Sequence, residues 1–180
     1  MSKPEKNIFL VGPRASGKTS LGKILAGRLG RPFVDLDAVF AERAGQSIKE
    51  LVEAEGWERF REIETEVLRF VCATPGQVVA TGGGAALKDE NRELMRAGVA
   101  LYLQSTPERL IARLRAELNE AQRPDLTGAG LEDEVRAVLL EREPVYLAMA
   151  DAVLPDRELA EMAEAALKAL RMLGTGSAGE

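Results

Sequence analysis

The chain of 180 residues contains no histidine. That removes imidazole acid–base catalysis and leaves no plausible zinc cluster. Any general base must therefore be a carboxylate, a lysine or a tyrosine. A single cysteine, Cys72, excludes an internal disulfide framework and fits a reducing compartment. No apolar run approaches the length needed to span a bilayer. The opening stretch MSKPEKNIFL lacks the apolar core and small-residue cleavage site of a secretory signal. A cytoplasmic protein without a membrane partner is expected. A basic excess is also missing: the net charge of −5 argues against a general nucleic-acid binder. Nothing marks an obligate interface, so a monomer is expected.

What is present fits a soluble α/β protein. Hydrophobic content of 46% and charged content of 29% suit one domain with a real core, expected over 1–173, with 174–180 frayed. Short apolar runs at 7–11, 32–37, 77–81, 99–104 and 151–155 read as five strands. Helical spacing follows at 19–29, ended by Gly30 and Pro32, then from a capping box at Ser47 and Glu50 to a break at Gly56, then at 57–73. Another helix starts in STPERLIARL, with Pro at its first turn, and an amphipathic one covers 156–173. Alternating strands and helices predict a parallel sheet with right-handed crossovers, whose ligands sit beyond the strands' C-terminal ends. The polar segment 117–130, interrupted at Pro124, reads as a long mobile loop of the kind that serves as a lid.

Residues 12–19, GPRASGKT, match G-x-x-x-x-G-K-[ST] between an expected strand and an expected helix. The physics is that of a phosphate cradle. Glycines let backbone N–H groups turn inward, and the helix N-terminus adds its positive end. Gly12, Arg14, Ala15, Ser16, Gly17 and Ser20 would surround a nucleotide. Lys18 would reach its β/γ-phosphates and Thr19 would hold Mg²⁺. The expected fold is thus a three-layer P-loop NTPase type with a five-stranded parallel sheet and a lid.

Three further features concern what receives the phosphate. Asp35 and Asp37, two apart at the end of the second strand, would project to one side while the chain is extended. They either cap a turn or serve magnesium and an acceptor hydroxyl. In WERFREIETEVLRFV, Glu64 falls inside the apolar arc and Arg61 at its edge, three residues apart. They form either a rim salt bridge or an arginine held by Glu64 toward an anionic ligand. Gly82, Gly83 and Gly84 carry a large entropy cost, which is expected only where side chains cannot be tolerated. Arg123, before Pro124, and Arg142, in LEREPVY near Pro144, which is expected to disturb its helix, are further candidates for neutralising charge.

Together, FLVGPRASGKT, FVDLD, GWERFREIE, VVATGGGAAL, RPDLTG and LEREPVY resemble the shikimate kinase family over roughly residues 7–173. The resemblance implies transfer of the γ-phosphoryl of ATP to the 3-hydroxyl of shikimate, in aromatic amino-acid biosynthesis. It implies that Asp37 binds the acceptor hydroxyls and acts as base, and that Arg61 and Arg142 grip the carboxylate. Gly83 would touch the substrate ring through its backbone, beside Gly82 and Gly84. Lys18 and Arg123 would contact the phosphates, Thr19 and Asp35 the magnesium, and Arg113 the adenine. The rivals are another small-molecule P-loop kinase such as a gluconate kinase, a nucleoside monophosphate kinase, or an inactive nucleotide-binding regulatory module. A GTPase switch would need an N-K-x-D motif, which the sequence lacks.

Overall fold

The computed structural model describes residues 5–121 and 130–175. Five strands form one parallel sheet in the order β2-β3-β1-β4-β5. They are β1 (Ile8–Val11), β2 (Phe33–Asp35), β3 (Val78–Ala80), β4 (Val99–Gln104) and β5 (Ala152–Pro155). The helices are α1 (Lys18–Leu29), α2 (Leu36–Ala44), α3 (Ile48–Cys72), α4 (Asp89–Met95), α5 (Pro107–Ala121), α6 (Leu131–Met149) and α7 (Leu159–Met172).

Strand β1 shows why the sheet forms. All four of its residues are buried, because successive side chains point to opposite faces and both faces are covered. Ile8 and Leu10 pack with Leu21 and Leu25 of α1 and Met162, Ala166 and Leu170 of α7. Phe9 and Val11 pack with Leu36 and Phe40 of α2, Leu68 of α3 and Tyr146 of α6. Helices thus lie on both sides of the sheet, as the alternation of elements predicts.

Several local expectations hold for identifiable reasons. Ser47 and Glu50 make the reciprocal capping box at the start of α3. Gly56, at φ 86°, breaks the helical path inside α3. Gly30, at φ 64°, closes α1.

Others are corrected. The second strand ends at Asp35 rather than running through 37, and the unforeseen helix α2 begins at once. Asp35 is its N-cap: Oδ1 accepts the Asp37 backbone N–H at 3.0 Å, a local bond that competes with further extension. Asp35 and Asp37 therefore do not project to one side of a common strand. Helix α6 continues through Pro144 as one helix, although proline removes a backbone donor there. Residues 117–121 belong to helix α5 rather than to a loop. The rest of the expected lid, 122–129 with Arg123, lies outside the described residues.

Candidate active site

A cleft of about 820 Å³ opens beyond the C-terminal ends of β1, β2 and β3. It is lined by residues 14–20, Asp35, Asp37, Arg61, Glu64, Gly82, Gly83, Gly84, Arg113 and Arg142. These candidates come from distant parts of the chain, and the parallel topology brings them together. Gly12 is not among the lining residues, and Arg123 is not described.

The loop after β1 is shaped by its backbone. Gly12 adopts φ 146°, and a Cβ there would stand 2.9 Å from the Leu103 carbonyl oxygen. Gly17, at φ 93°, is the N-cap of α1, and no side chain among the described residues caps that helix. Its first amides are free to meet an anion, with the helix dipole behind them. Ala15 also lies in the left-handed region, at φ 62°. Lys18 is buried, and its ammonium donates to the carbonyls of Gly12 at 2.9 Å and Pro13 at 2.7 Å. Burial lowers its pKa to about 8, partly offset by Asp37 and Asp35.

Next to this loop, Thr19 Oγ1 donates to Asp35 Oδ2 at 2.8 Å. A hydroxyl and a carboxylate held side by side are hard oxygen donors of the type magnesium takes. Asp37 occupies the first turn of α2. The residue is exposed and lines the cleft. Desolvation by the atoms around its carboxyl raises its pKa above the usual carboxylate range, Asp35 adding to the effect and Lys18, Arg61 and Arg14 opposing it.

Arg61 and Glu64 form a 2.7 Å ion pair on α3. Glu64 is only 5% exposed. Its burial raises its pKa, and Arg61 counters part of that rise. The guanidinium also lies 4.9 Å from the centre of the Phe60 ring.

The three glycines have a simpler cause than unusual backbone angles. None of them has a positive φ. Instead, other protein atoms approach too closely for a side chain. A Cβ on Gly82 would stand 3.1 Å from both Asp37 Oδ1 and Glu64 Oε1. One on Gly84 would stand 2.7 Å from Arg61 Cζ. One on Gly83 would stand 3.3 Å from the backbone nitrogen of Arg14. The turn is where the acidic and basic side chains and the phosphate loop press together.

At the other end of the cleft, Arg113 donates to the Ala15 carbonyl at 3.1 Å and to Asp156 Oδ1 at 2.8 Å. Asp156 also receives Arg109 at 3.1 Å and the Ser105 hydroxyl. Sequence reasoning overlooked Asp156, which it placed at the start of the last helix. Its position directly after β5, at a strand's C-terminal end, was the available signal. It also overlooked Tyr146, whose hydroxyl donates to the Gly83 carbonyl.

Residues 14–173 match the family model for shikimate kinase. A shikimate kinase 2 from Syntrophotalea carbinolica is 48% identical over 150 residues, which cover 83% of this chain and 87% of that protein. A solved shikimate kinase from Acinetobacter baumannii, in complex with shikimate, superposes with a TM-score of 0.84 at 33% identity, covering 97% of this chain and 96% of that one. A gluconokinase from Sinorhizobium meliloti shares the fold, with a TM-score of 0.63 at 17% identity over 96% of this chain and 95% of its own. The match over 14–173 and the near-half identity decide between these relationships: the chain belongs to the shikimate kinase family.

Proposed function

We propose that the protein phosphorylates shikimate, moving the γ-phosphoryl of ATP to the 3-hydroxyl and releasing ADP, as a step in aromatic amino-acid biosynthesis. One observation carries this reading. The phosphate loop and a set of acceptor-type side chains share a single cleft, and they touch where Gly83 meets Arg14. Shikimate offers one carboxylate and several hydroxyls. Arg61 and Arg142 supply fixed positive charge for the carboxylate, and Glu64 holds Arg61 in place. Asp37 accepts the proton of the attacking hydroxyl. Its raised pKa makes it a stronger base than an ordinary surface carboxylate. Gly82, Gly83 and Gly84 bring backbone close to the substrate ring.

On the donor side, the amides of the 12–19 loop and Lys18 hold the phosphates, with Gly12, Arg14, Ala15, Ser16, Gly17 and Ser20 enclosing them. Arg113 flanks the adenine. Arg123, outside the described residues, completes the phosphate contacts in this reading. Magnesium belongs at Thr19 and Asp35, and when bound it neutralises phosphate charge. The protein mainly positions the two substrates and balances charge. A monomer in the cytoplasm completes the proposal. Among the described residues, no helix is long and apolar enough to cross a membrane.

The test is ADP release from MgATP with shikimate, gluconate or nucleoside monophosphates as acceptor. Strong stimulation by shikimate alone is expected. Stimulation by gluconate alone would move the protein to the neighbouring sugar-kinase activity. No stimulation by any acceptor would favour a nucleotide-binding module.

A further inference from the structure

The segment LEREPVY supplies Arg142 to the cleft and leaves Glu143 and Tyr146 without a task. Tyr146 follows Arg142 by four residues, so on α6 the two share a face. Tyr146 is fully buried. Its ring stacks on Tyr102 of β4, with centroids 5.2 Å apart and planes 29° apart. The Tyr102 hydroxyl donates to Glu143 Oε1 at 3.2 Å, and Gln104 donates to the same oxygen at 2.9 Å. Glu143 thus ties α6 to the end of β4.

The Tyr146 hydroxyl does something different. It donates to the carbonyl of Gly83 and also interacts with the Arg142 guanidinium. The carbonyls of Gly82 and Gly84 are taken by the turn itself, through Ala85 and Leu87. Gly83 has its carbonyl bound by a side chain from another element. The described peptide bonds are all trans. In a trans peptide the C=O and the following N–H point in opposite directions. Tying the Gly83 carbonyl toward α6 therefore fixes the Gly84 N–H to point away from it. Three consecutive glycines have no side chains to set that plane for themselves.

We propose that Tyr146 is a positioning residue for the acceptor: it locks the Gly83–Gly84 peptide and Arg142 into one fixed relation. The glycine turn and the arginine then meet the same substrate as a rigid pair. The Tyr146 hydroxyl makes no bond to the phosphate loop, which Gly83 meets only by packing on Arg14, so its loss should fall mainly on one substrate. The kinetic side rests on shikimate being the acceptor.

The test compares Tyr146→Phe with Tyr102→Phe in the full chain. Both keep the ring stack, and only the first removes the hydroxyl from Gly83. The first readout is amide hydrogen exchange without substrates. Tyr146→Phe is expected to speed exchange across 82–87 about tenfold while leaving 12–19 unchanged. The second is steady-state kinetics. The shikimate KM should rise about tenfold, with the MgATP KM within about twofold and kcat within about threefold. Tyr102→Phe should leave both readouts within about twofold of the parent protein.

Unchanged exchange and unchanged shikimate KM in Tyr146→Phe overturn the proposal. So does a parallel rise of both KM values with faster exchange throughout the sheet, which means a loosened core. Equal effects from Tyr102→Phe also overturn it, because the stack and not the hydroxyl would then be responsible. If the parent protein does not phosphorylate shikimate, the acceptor reading fails, while the exchange comparison still decides whether Tyr146 holds the turn.

Discussion

The two halves of the cleft are built by different means. The nucleotide half is mostly backbone: a contiguous loop with Gly12 and Gly17 in left-handed angles, closed by one helix N-terminus. The acceptor half is mostly side chains, and they arrive from α2, α3 and α6 around the turn after β3. The first half needs a short stretch of chain to be correct. The second needs the sheet order to be correct, because Asp37, Arg61, Gly84 and Arg142 meet only when β2, β3 and β1 are neighbours. A fault in the acceptor half should therefore spare nucleotide binding.

The largest break in that comparison is expected from Arg61→Ala. It removes one of the two charges proposed to grip the carboxylate and strands the buried Glu64 carboxylate. Loss of a buried charged partner costs about 2–5 kcal/mol, so shikimate affinity should fall by roughly 30-fold or more. MgATP affinity should remain within about twofold, as calorimetric titration of each ligand would show. Stability should fall too, because breaking a buried pair leaves an uncompensated charge.

Gly84→Ala should give a smaller effect of the same kind. Its Cβ would collide with the Arg61 guanidinium, which must move. The shikimate KM is expected to rise about tenfold with the MgATP KM unchanged, since a 1 Å displacement of a binding group can cost that much. Gly83→Ala sharpens the contrast. Its Cβ would press on Arg14, so it is the glycine variant that should disturb both substrates. If Gly84→Ala instead raised both KM values equally, the halves would not be separable.

The nucleotide half carries its own signature in pH. The folded pKa of Lys18 is lowered to about 8, against an ordinary value of 10.5. Below pH 8 both folded and unfolded chains hold the proton, and the cost of burying the charge is fully present. Between 8 and 10.5 only the unfolded chain keeps it, so stability rises with pH in that window. Lys18 should contribute about 3 kcal/mol to that rise in the protein without nucleotide, with Cys72 acting in the opposite direction because burial raises its thiol pKa. The Lys18 contribution should be absent from Lys18→Met, read as the difference between the two proteins in urea unfolding at pH 7.5 and 10.5. Affinity for the phosphates should fall over the same window, because the ammonium charge is lost.

The smallest effect is expected at Ala15. A non-glycine residue at φ 62° carries left-handed strain of about 1–2 kcal/mol. Glycine would relieve it but adds about 0.5–1 kcal/mol of unfolded-chain entropy. Ala15→Gly should stabilise the protein by less than about 1 kcal/mol, read as a small rise in Tm. A loss of stability would show that the loop is not strained there.

How far the sequence could be read follows the same division. The phosphate loop was legible because all its residues are adjacent and its glycine spacing is a backbone requirement. The five strands were legible because apolar runs are short and bounded. Helix α2 was not, since Asp35 ends a strand and caps a helix at once, and the acids looked like strand residues. The arginine and glutamate of α3 stood out only as a charged pair inside an apolar arc. Their partners at Gly82 and Gly84 become visible only once β3 lies beside β1 and β2. Asp156 and Tyr146 were missed because each acts through another residue, Arg113 in one case and Gly83 in the other.

The most direct measurement is shikimate-dependent ADP formation by Asp37→Asn, beside calorimetric binding of MgATP to the same variant. The substitution keeps the shape and removes the proposed base. Turnover should fall by about 10²–10⁴-fold, with MgATP affinity within about twofold of the parent protein. Turnover within a few-fold of normal would contradict the role given to Asp37. Loss of MgATP binding along with turnover would contradict the separation of the two halves.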